Sequence, residues 1–306
     1  MSINPAVAIG ATLPEQRFAW NSSDVVRYHL ALGAGADSVD PNELRYVLER
    51  ELRVLPTFGM TVPAVFGVAA PAAFGPGAPR TGRAGALELS VPGVDVDLSA
   101  LLHGRQELVV HRPIPVAGEA VARTRLVDVH DKGDAAVIVQ ETEVVGVDGG
   151  PLFTAGSSIF ARGEGGFGGR RGPSAADRPA PPAREPDAVL DTPTLPQQAL
   201  LYQLCGDRNP LHADPARARD AGFPGPILQG ACTYGMVCKA VVDTLLEGDA
   251  SRVLRYSARF TGAVFPGETL RTRVWRTRGR LVLTTCVLDR GEAPVLSDAA
   301  ITAREN

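Results

Sequence analysis

The sequence of 306 residues has few of the residues that cross-link small proteins or bind metals, since it contains only four cysteines. Cys205, Cys232, Cys238 and Cys286 form no C-x-x-C pair and do not cluster with histidine at metal-ligand spacing. This pattern indicates neither a disulfide framework nor a zinc site. We therefore expect four reduced, buried thiols in a cytoplasmic protein.

The chain also lacks an excess of positive charge. Its 31 Lys and Arg residues are offset by 34 Asp and Glu residues, which gives a formal net charge of -3. The global positive field that attracts nucleic acid is therefore absent. We expect no nucleic acid among its partners.

Signals for export and for membrane insertion are missing as well. The N-terminal residues MSINPAVAIGATLPEQRFAW place no Lys or Arg ahead of an apolar run and contain two prolines, so no secretory signal is predicted. The most apolar stretch, VPAVFGVAAPAAFGPGAP from Val62, is interrupted by four Pro and three Gly. A lipid-exposed helix tolerates such interruptions poorly. We expect a loop-rich insertion there and no membrane partner.

Gly, Pro and Arg dominate residues 163–187, which read GEGGFGGRRGPSAADRPAPPAREPD and have no apolar period of a strand or helix. This segment is the predicted linker between an N-terminal unit, residues 1–162, and a C-terminal unit, residues 188–306. The overall hydrophobic content of 44% is typical of a globular protein with a proper core.

Both units show the same order of predicted elements. The first unit has helical patterns in SDVVRYHLALG and PNELRYVLEREL, and the second has them in TLPQQALLYQL and ACTYGMVCKAVVDTLL. Four β-rich runs follow the helices in each unit. A short echo, Gly118-Glu119 answered by Gly267-Glu268, also favours duplication. The pattern predicts an α+β protein in which two antiparallel sheets join side by side over their helices.

Residue types suited to proton transfer follow the first helix of the C-terminal unit, in GDRNPLH. Asp207 and His212 are five positions apart, which on a helix would turn them about 140° from each other. Asn209 precedes Pro210, and the residue before a proline is disfavoured in the helical region. We therefore predict that this segment folds back and that the carboxylate and the imidazole face one cavity. Such a pair can remove a proton from water and deliver one to carbon.

Two further residues would complete such a site. Asn209 would orient a water or a catalytic side chain. Gly230 precedes an apolar helix, where free N–H groups and the positive end of the helix dipole favour an oxyanion. A glycine also lets a substrate carbonyl approach the backbone. The alternative is an ordinary turn, because Asp, Asn, Pro and Gly are common turn formers and Asp often caps a helix.

The segment YQLCGDRNPLHADPARARDAGFPGPILQG resembles the signature of the R-specific enoyl-CoA hydratases, the MaoC-like or hydratase 2 family. The similarity has no gap within the motif and extends to RYVLERELRVLPTFG, ALLHGRQELVVHRPIP, DVHDKGDAAVIV and GGFGGRRG, which resemble the hydratase unit of peroxisomal multifunctional beta-oxidation enzymes. A Gly/Ala/Pro-rich stretch from about Gly67 to Gly85 is longer than in that family. The resemblance implies a double hot-dog fold, in which each half is a long helix wrapped by an antiparallel sheet.

The same resemblance implies reversible hydration of a trans-2-enoyl-CoA to the (3R)-3-hydroxyacyl-CoA, in fatty-acid or sterol side-chain metabolism. It implies a homodimer and no metal or redox cofactor, with CoA as part of the substrate. By position, Asp207 and His212 become the acid/base pair, Asn209 assists, and the Gly230 amide polarises the thioester carbonyl. Glu49 matches an acidic residue implicated in activity; the alternative is an exposed helical glutamate.

Family resemblance also supplies substrate contacts, at His103, Gly104, Lys132, Arg208, Pro210, Leu211 and Phe260. Lys132 would meet a CoA phosphate and Phe260 would line the acyl chain. Taken alone, Lys132 is a hairpin-turn lysine and Phe260 a core residue.

Only the C-terminal unit contains the motif, so we expect one active site per chain and an N-terminal unit that accommodates the acyl chain. Two alternative functions remain. Hot-dog proteins also act as acyl-CoA thioesterases, and the chain could be a non-catalytic acyl-CoA-binding partner subunit.

Overall fold

The computed structural model describes residues 3–61, 91–96, 101–173 and 180–305. The insertion predicted from about Gly67 to Gly85 lies outside these residues. Within the described ranges, no helix is long and apolar enough to cross a membrane.

Short helices and long strands make up the described chain. The helices are α1 (Pro5–Ala8), α2 (Ser22–Ala31), α3 (Pro41–Leu44), α4 (Gln198–Gln203), α5 (Pro215–Asp220) and α6 (Gly230–Leu245). The strands of the N-terminal half are β1 (Gln16–Trp20), β2 (Leu101–Val110), β3 (Gly118–Asp131), β4 (Ala135–Gly146) and β5 (Pro151–Arg162). Those of the C-terminal half are β6 (Ala188–Pro193), β7 (Val253–Phe260), β8 (Thr269–Thr277), β9 (Arg280–Val287) and β10 (Ala293–Ala303).

All ten strands belong to one antiparallel sheet in the order β1-β3-β4-β5-β2-β7-β10-β9-β8-β6. From the centre outwards, the N-terminal half contributes β2-β5-β4-β3-β1 and the C-terminal half contributes β7-β10-β9-β8-β6. The two series are equivalent strand for strand, which agrees with the predicted duplication and α+β class. The unit boundaries at residues 162 and 188 stay a prediction.

Alternation of side chains gives the sheet one covered inner face. In β4 every second residue from Ala136 to Val144 is buried, whereas the residues between them are partly or fully exposed. Successive side chains of a strand point to opposite faces, so this period-2 pattern turns one face of the strand toward the core. The predicted β-rich runs correspond to β2–β5 and β7–β10.

Helix α6 packs against β6 and β7 of its own half and against the 3-10 turn Pro56–Thr61 of the N-terminal half. Eleven of its 16 residues are buried, as expected for a helix that is apolar on nearly all sides. A Cβ atom added to Gly235 would lie 2.6 Å from the Tyr28 hydroxyl and 2.8 Å from Leu32. The glycine therefore permits the close approach of α2 to α6.

An ionic cluster fastens the other end of α6 to the N-terminal half. Lys239 Nζ lies 2.7 Å from Glu43 Oε1 and 2.9 Å from Asp243 Oδ2, and its side chain is only 11% exposed. The same ammonium lies 5.2 Å from the centre of the Tyr46 ring. These contacts join residues on α3 and α6 that are far apart in the sequence.

The helix predicted over PNELRYVLEREL is wrong in extent. α3 ends at Leu44, and only the short 3-10 turn Glu49–Glu51 follows. The Tyr46 carbonyl accepts a hydrogen bond from His29 Nδ1 at 2.8 Å, so it is not used for a continuing helix. In the described part of the N-terminal half the longest helix is α2, with ten residues.

The two edge strands β1 and β6 were not predicted. Each is short, with five and six residues, and each pairs with one neighbour only. Their burial patterns alternate, but runs this short are weak signals in sequence. The structure therefore adds one strand to each predicted set of four.

Candidate active site

A tight loop after α4 brings Asp207 and His212 together. Gly206 has a φ angle of 114°, in the region that favours glycine. Asn209 has an extended ψ of 122° and precedes the 3-10 turn Pro210–His212, as the following proline predicts. As a result, Asp207 Oδ2 lies 3.8 Å from His212 Nε2.

Hydrogen bonds within the loop hold this conformation. Asn209 N donates to Asp207 Oδ1 at 3.2 Å, and Leu211 N donates to Asn209 Oδ1 at 3.0 Å. The Asn209 carboxamide oxygen therefore caps the turn that carries the histidine. Orientation of a water by Asn209 stays a prediction.

The tautomer of His212 follows from its second contact. Its Nδ1 lies 2.8 Å from the Ile227 carbonyl oxygen, which can only accept, so Nδ1 carries the proton in the neutral ring. Nε2 is then the basic nitrogen and faces Asp207. The His212 side chain is 10% exposed, whereas the Asp207 side chain is 36% exposed. The separation of 3.8 Å exceeds a direct hydrogen bond, and one water can bridge such a gap.

Gly230 begins α6 three residues after Ile227. Cys232 N and Thr233 N both donate to the Gln229 carbonyl at 3.1 Å. In contrast, the N–H groups of Gly230 and Ala231 donate to no acceptor within the described chain. Gly230 is partly exposed. The helix N-terminus thus offers free donors and the positive end of its dipole next to the histidine loop.

Aromatic rings from both halves form a wall beside Gly230. A Cβ atom there would lie 3.1 Å from Phe260 Cε1. The Phe260 ring in turn lies 4.2 Å, centre to centre, from the His103 imidazole at an interplanar angle of 41°. Phe260 ends β7 and His103 lies near the start of β2, so the wall crosses the junction of the two halves.

A β-bulge aims His103 at this wall. The register between β2 and β5 shifts between His103 and Arg105, which leaves Gly104 as the extra residue. A Cβ atom on Gly104 would lie 3.2 Å from the Ser158 carbonyl oxygen, a close approach. Burial lowers the pKa of His103 to about 4, so the ring is neutral near pH 7.

Lys132 lies in the turn of the β3–β4 hairpin. The carboxylate of the preceding residue, Asp131, connects this turn to the predicted linker, and we call its set of hydrogen bonds the Asp131 clasp. Asp131 accepts hydrogen bonds from the backbone N–H groups of Gly133 at 2.8 Å, Gly166 at 3.0 Å and Gly168 at 2.7 Å. These bonds, that from Gly166 foremost, lower the pKa of Asp131 to about 2. The first residues of the linker are therefore fastened to the sheet.

The clasp positions Lys132 at the same end of the sheet as His103. Its Nζ donates to the Arg171 carbonyl. The paired residues Asp131, Ala136, Ala161 and Leu101 run across four strands at this level. With strands about 4.8 Å apart, Lys132 lies about 14 Å from β2. The lysine is thus a hairpin-turn residue outside the Asp207–His212 pair, within reach of an extended ligand.

The remaining candidate residues have diverse positions. Glu49 is exposed in a 3-10 turn and accepts a hydrogen bond from Ser22 Oγ at 2.8 Å; no contact in the described chain joins it to Asp207 or His212. Arg208 is exposed in the histidine loop, and Pro210 and Leu211 are half-buried there. The roles of these residues stay predictions.

Metal-ligating side chains and cysteine thiols are the remaining groups that could carry chemistry. In the ranges that the structure describes, no three His, Cys, Asp or Glu side chains form a group that could hold a metal ion. The four cysteines are free and buried, as expected from their spacing.

Three contacts of the site were not found from the sequence. These are the Ile227 carbonyl that fixes His212, the Gln106 side chain that lies 3.1 Å from His103 Nε2, and the Asp131 clasp. A backbone carbonyl has no residue-type signal, and two of the three glycine donors, Gly166 and Gly168, lie more than 30 positions from Asp131. For Gln106 no residue-type signal was available, because β2 also contains His103, Arg105 and Glu107.

Comparison with known proteins identifies the family. Residues 18–163 match the MFE-2 hydratase 2 N-terminal domain, and residues 177–292 match the MaoC like domain. Enoyl-CoA hydratase ChsH3 of Mycobacterium tuberculosis is 50% identical to this chain. The aligned region covers 97% of this chain and 98% of the ChsH3 chain. The chain belongs to the MaoC-like hydratase 2 family. The family predicted from the GDRNPLH segment is therefore confirmed.

Other members of the hydratase 2 family are similar over almost the whole chain. The peroxisomal enoyl-CoA hydratase 2 of Arabidopsis thaliana is 37% identical, and the aligned region covers 94% of this chain and 92% of the Arabidopsis chain. The crystal structure of a MaoC-like dehydratase from Phytophthora capsici covers 97% of both chains with a TM-score of 0.80 and 25% identity. The predicted double hot-dog fold is also confirmed.

Proposed function

We propose that this member of the hydratase 2 family is an R-specific enoyl-CoA hydratase. It reversibly adds water to a trans-2-enoyl-CoA and gives the (3R)-3-hydroxyacyl-CoA, in fatty-acid or sterol side-chain metabolism. The observation that carries the proposal is the separation of 3.8 Å between Asp207 Oδ2 and His212 Nε2, next to a helix N-terminus with free N–H groups. The names of the relatives at 50% and 37% identity support it.

The proposed reaction uses the pair as a water-activating unit. His212 Nε2 accepts a proton from the water held between it and Asp207, whose carboxylate stabilises the imidazolium. The water oxygen bonds to C3 as the electron pair of the C2=C3 bond moves toward the thioester oxygen. C2 then gains a proton from the same pair, so that one water is consumed and both side chains regain their starting protonation. Positioned acid/base groups of this kind contribute about 10²- to 10⁴-fold to rate.

The Gly230 N–H supplies the second element of the mechanism. Negative charge develops on the thioester oxygen when water adds to C3. The Gly230 N–H lies at the positive end of α6 and stabilises that charge. Because Gly230 has no side chain, the thioester carbonyl can approach this N–H closely. Donors of this kind are worth about 10²- to 10³-fold in other enzymes.

Substrate contacts are proposed on both sides of this centre. His103, Gly104 and Phe260 form the wall along the thioester and acyl chain, and Lys132 meets a CoA phosphate at the sheet end. Asn209, Arg208, Pro210 and Leu211 frame the loop that carries the pair. A role for Glu49 rests on family resemblance alone. We also propose a cytoplasmic homodimer that needs no metal or redox cofactor.

A hydration assay with trans-2-enoyl-CoAs of graded length and bulk tests this proposal. Loss of the enoyl absorbance should accompany formation of the (3R)-3-hydroxyacyl-CoA, identified by chiral separation. An S product would contradict the assignment. Release of free CoA, detected with a thiol reagent, would indicate a thioesterase, and binding without turnover would indicate a non-catalytic acyl-CoA-binding subunit.

A further inference from the structure

Gln106 is a fully buried glutamine in β2, with 0% of its surface exposed. Its Nε2 donates to the Glu107 carbonyl at 2.9 Å, which orients the carboxamide. The opposite atom, Oε1, then lies 3.1 Å from His103 Nε2. Because an amide oxygen only accepts, His103 carries its proton on Nε2. The glutamine is thus one hydrogen-bond partner of the ring, together with the backbone of Arg105.

The His103 ring contacts the wall of the candidate active site. His103 lies 4.2 Å from the Phe260 ring, and Phe260 is the side chain that a Cβ atom on Gly230 would meet at 3.1 Å. A continuous series of contacts therefore runs from Gln106 to the amide proposed to bind the thioester oxygen. The bulge at Gly104 places His103 in this series.

We propose that Gln106 is a positioning residue for substrate binding, which acts by fixing His103 against Phe260 opposite the Gly230 amide. This inference rests on the proposed function. It also gives the N-terminal half a defined part in a site whose proton-transfer residues lie in the C-terminal half.

The surroundings of His103 suit a neutral ring. Its strand partner Ile159 on β5 and the Phe260 ring that it contacts are apolar. The nearest charged residues on the two central strands are Arg105 on β2 and its register partner Arg259 on β7. The lowered pKa of His103, caused by burial, agrees with this arrangement.

Two substitutions separate positioning from packing. Gln106→Leu keeps the approximate volume but removes the carboxamide oxygen that accepts from His103 Nε2–H, which weakens the hold on the ring. Gln106→Glu keeps an acceptor in the same place and adds a negative charge, which raises the pKa of His103. Gln140→Leu is the matched control. Gln140 is 2% exposed and lies on the same face as Gln106, two strands away, because both pair with Ser157.

Steady-state kinetics with crotonyl-CoA should then show a KM effect. For Gln106→Leu we expect KM to rise about tenfold while kcat changes less than about threefold, since proton transfer is untouched. Gln106→Glu should restore a KM near the wild-type value at alkaline pH and lose it as the pH falls and His103 becomes charged. Gln140→Leu should match the wild type. Wild-type KM in Gln106→Leu, or an equal rise in Gln140→Leu, would overturn the proposal.

Two measurements without turnover complete the test. Calorimetric binding of butyryl-CoA should weaken about tenfold in Gln106→Leu, and ¹⁵N NMR of the histidine rings should show that His103 loses its Nε2–H tautomer preference. An unchanged tautomer preference would overturn the proposal. If the wild type binds butyryl-CoA but hydrates no enoyl-CoA, the proposed function fails, whereas the binding and NMR results still decide the role of Gln106. Gln106→Glu serves the same measurements if Gln106→Leu does not fold.

Discussion

The loops that follow α2 and α4 occupy equivalent places in the two halves, after the edge strand and the first helix of each. Both contain a glycine with positive φ, Gly33 at 85° and Gly206 at 114°. Both contain an aspartate that accepts a hydrogen bond from the backbone two residues ahead, Asp37 from Val39 N at 3.0 Å and Asp207 from Asn209 N at 3.2 Å. Only the second loop adds a histidine.

The difference shows how little separates a structural turn from a candidate catalytic one. In the C-terminal half, Pro210 starts a 3-10 turn that returns His212 to Asp207, and the Ile227 carbonyl fixes its ring. In the N-terminal half the same kind of turn leads into α3 and supplies Glu43 to Lys239. A similar loop conformation therefore holds α6 to the N-terminal half in one repeat, and carries the candidate acid/base pair in the other.

Loss of the acid/base pair should have the largest effect on the functional difference between the two loops. Asp207→Asn and His212→Gln, made singly, should each lower kcat for enoyl-CoA hydration by about 10²- to 10⁴-fold. Asp37→Asn, in the equivalent loop, is the matched control and should retain the wild-type kcat. Wild-type hydration in either of the first two variants would refute the assignment.

The attachment role of the N-terminal loop can be tested by stability. Lys239→Ala leaves the Glu43 and Asp243 carboxylates, which are 23% and 21% exposed, without their common cation. We expect a loss of about 3 to 4 kcal/mol in the free energy of unfolding, measured with denaturant. Arg125→Ala removes a more exposed pair with Glu141 and should cost less than about 1 kcal/mol. Equal losses would contradict the buried role of Lys239.

Acid should weaken the N-terminal half through His29, which has 0% of its surface exposed. Its Nδ1 donates to the Tyr46 carbonyl and its Nε2 accepts from Leu55 N, so the ring must be neutral. Burial lowers its pKa from about 6.5 to about 4. Because the unfolded chain binds the proton more readily, stability is complete above pH 6.5 and falls toward pH 4, by about 2 to 3 kcal/mol.

Unfolding of His29→Gln across this pH range measures the contribution. Its stability should depend less steeply on pH than that of the wild type by the same amount. His111→Gln, which changes an exposed histidine that contacts Thr154, should keep the wild-type slope. An unchanged slope in His29→Gln would show that the proton is taken up elsewhere.

The glycines with positive φ in the two loops should give the smallest difference between them. Gly206→Ala and Gly33→Ala both force an alanine into the left-handed region and should each cost about 1 to 2 kcal/mol. Only Gly206→Ala should also lower kcat, because it alone displaces Asp207. Gly225→Ala has open space and no positive φ, so it should match the wild type in both measurements. Equal kcat in the two glycine-loop variants would remove the distinction between them.

The sequence predicted the fold where signals are local and repeated. The long alternating strands β3 and β4, the apolar helix α6 and the break at Asn209-Pro210 are all at or near their predicted positions. The helix expected over PNELRYVLEREL failed because a tertiary contact, from His29 to the Tyr46 carbonyl, takes over a backbone group that a helix needs. Local propensity carries no information about such a contact.

The candidate site was likewise predictable only where its residues are close together in the sequence. Residues within one segment, Asp207, Asn209 and His212, could be grouped from spacing and proline geometry. Partners from distant strands could not, since nothing in the sequence places His103 beside Phe260 or Asp131 beside the glycines of the linker. Those relations depend on strand order and register, which emerge only in the folded sheet.

The antiparallel pairing of β2 with β7 has a consequence for the origin of the chain. Either repeat alone would leave one of these central strands as an open edge, with unpaired backbone groups that invite association. The simplest cover for that edge is a second copy in the same pairing, which gives a symmetric dimer of a chain half as long. Fusion of the two copies makes that interface permanent, so one copy is free to change its loop and helices without loss of assembly.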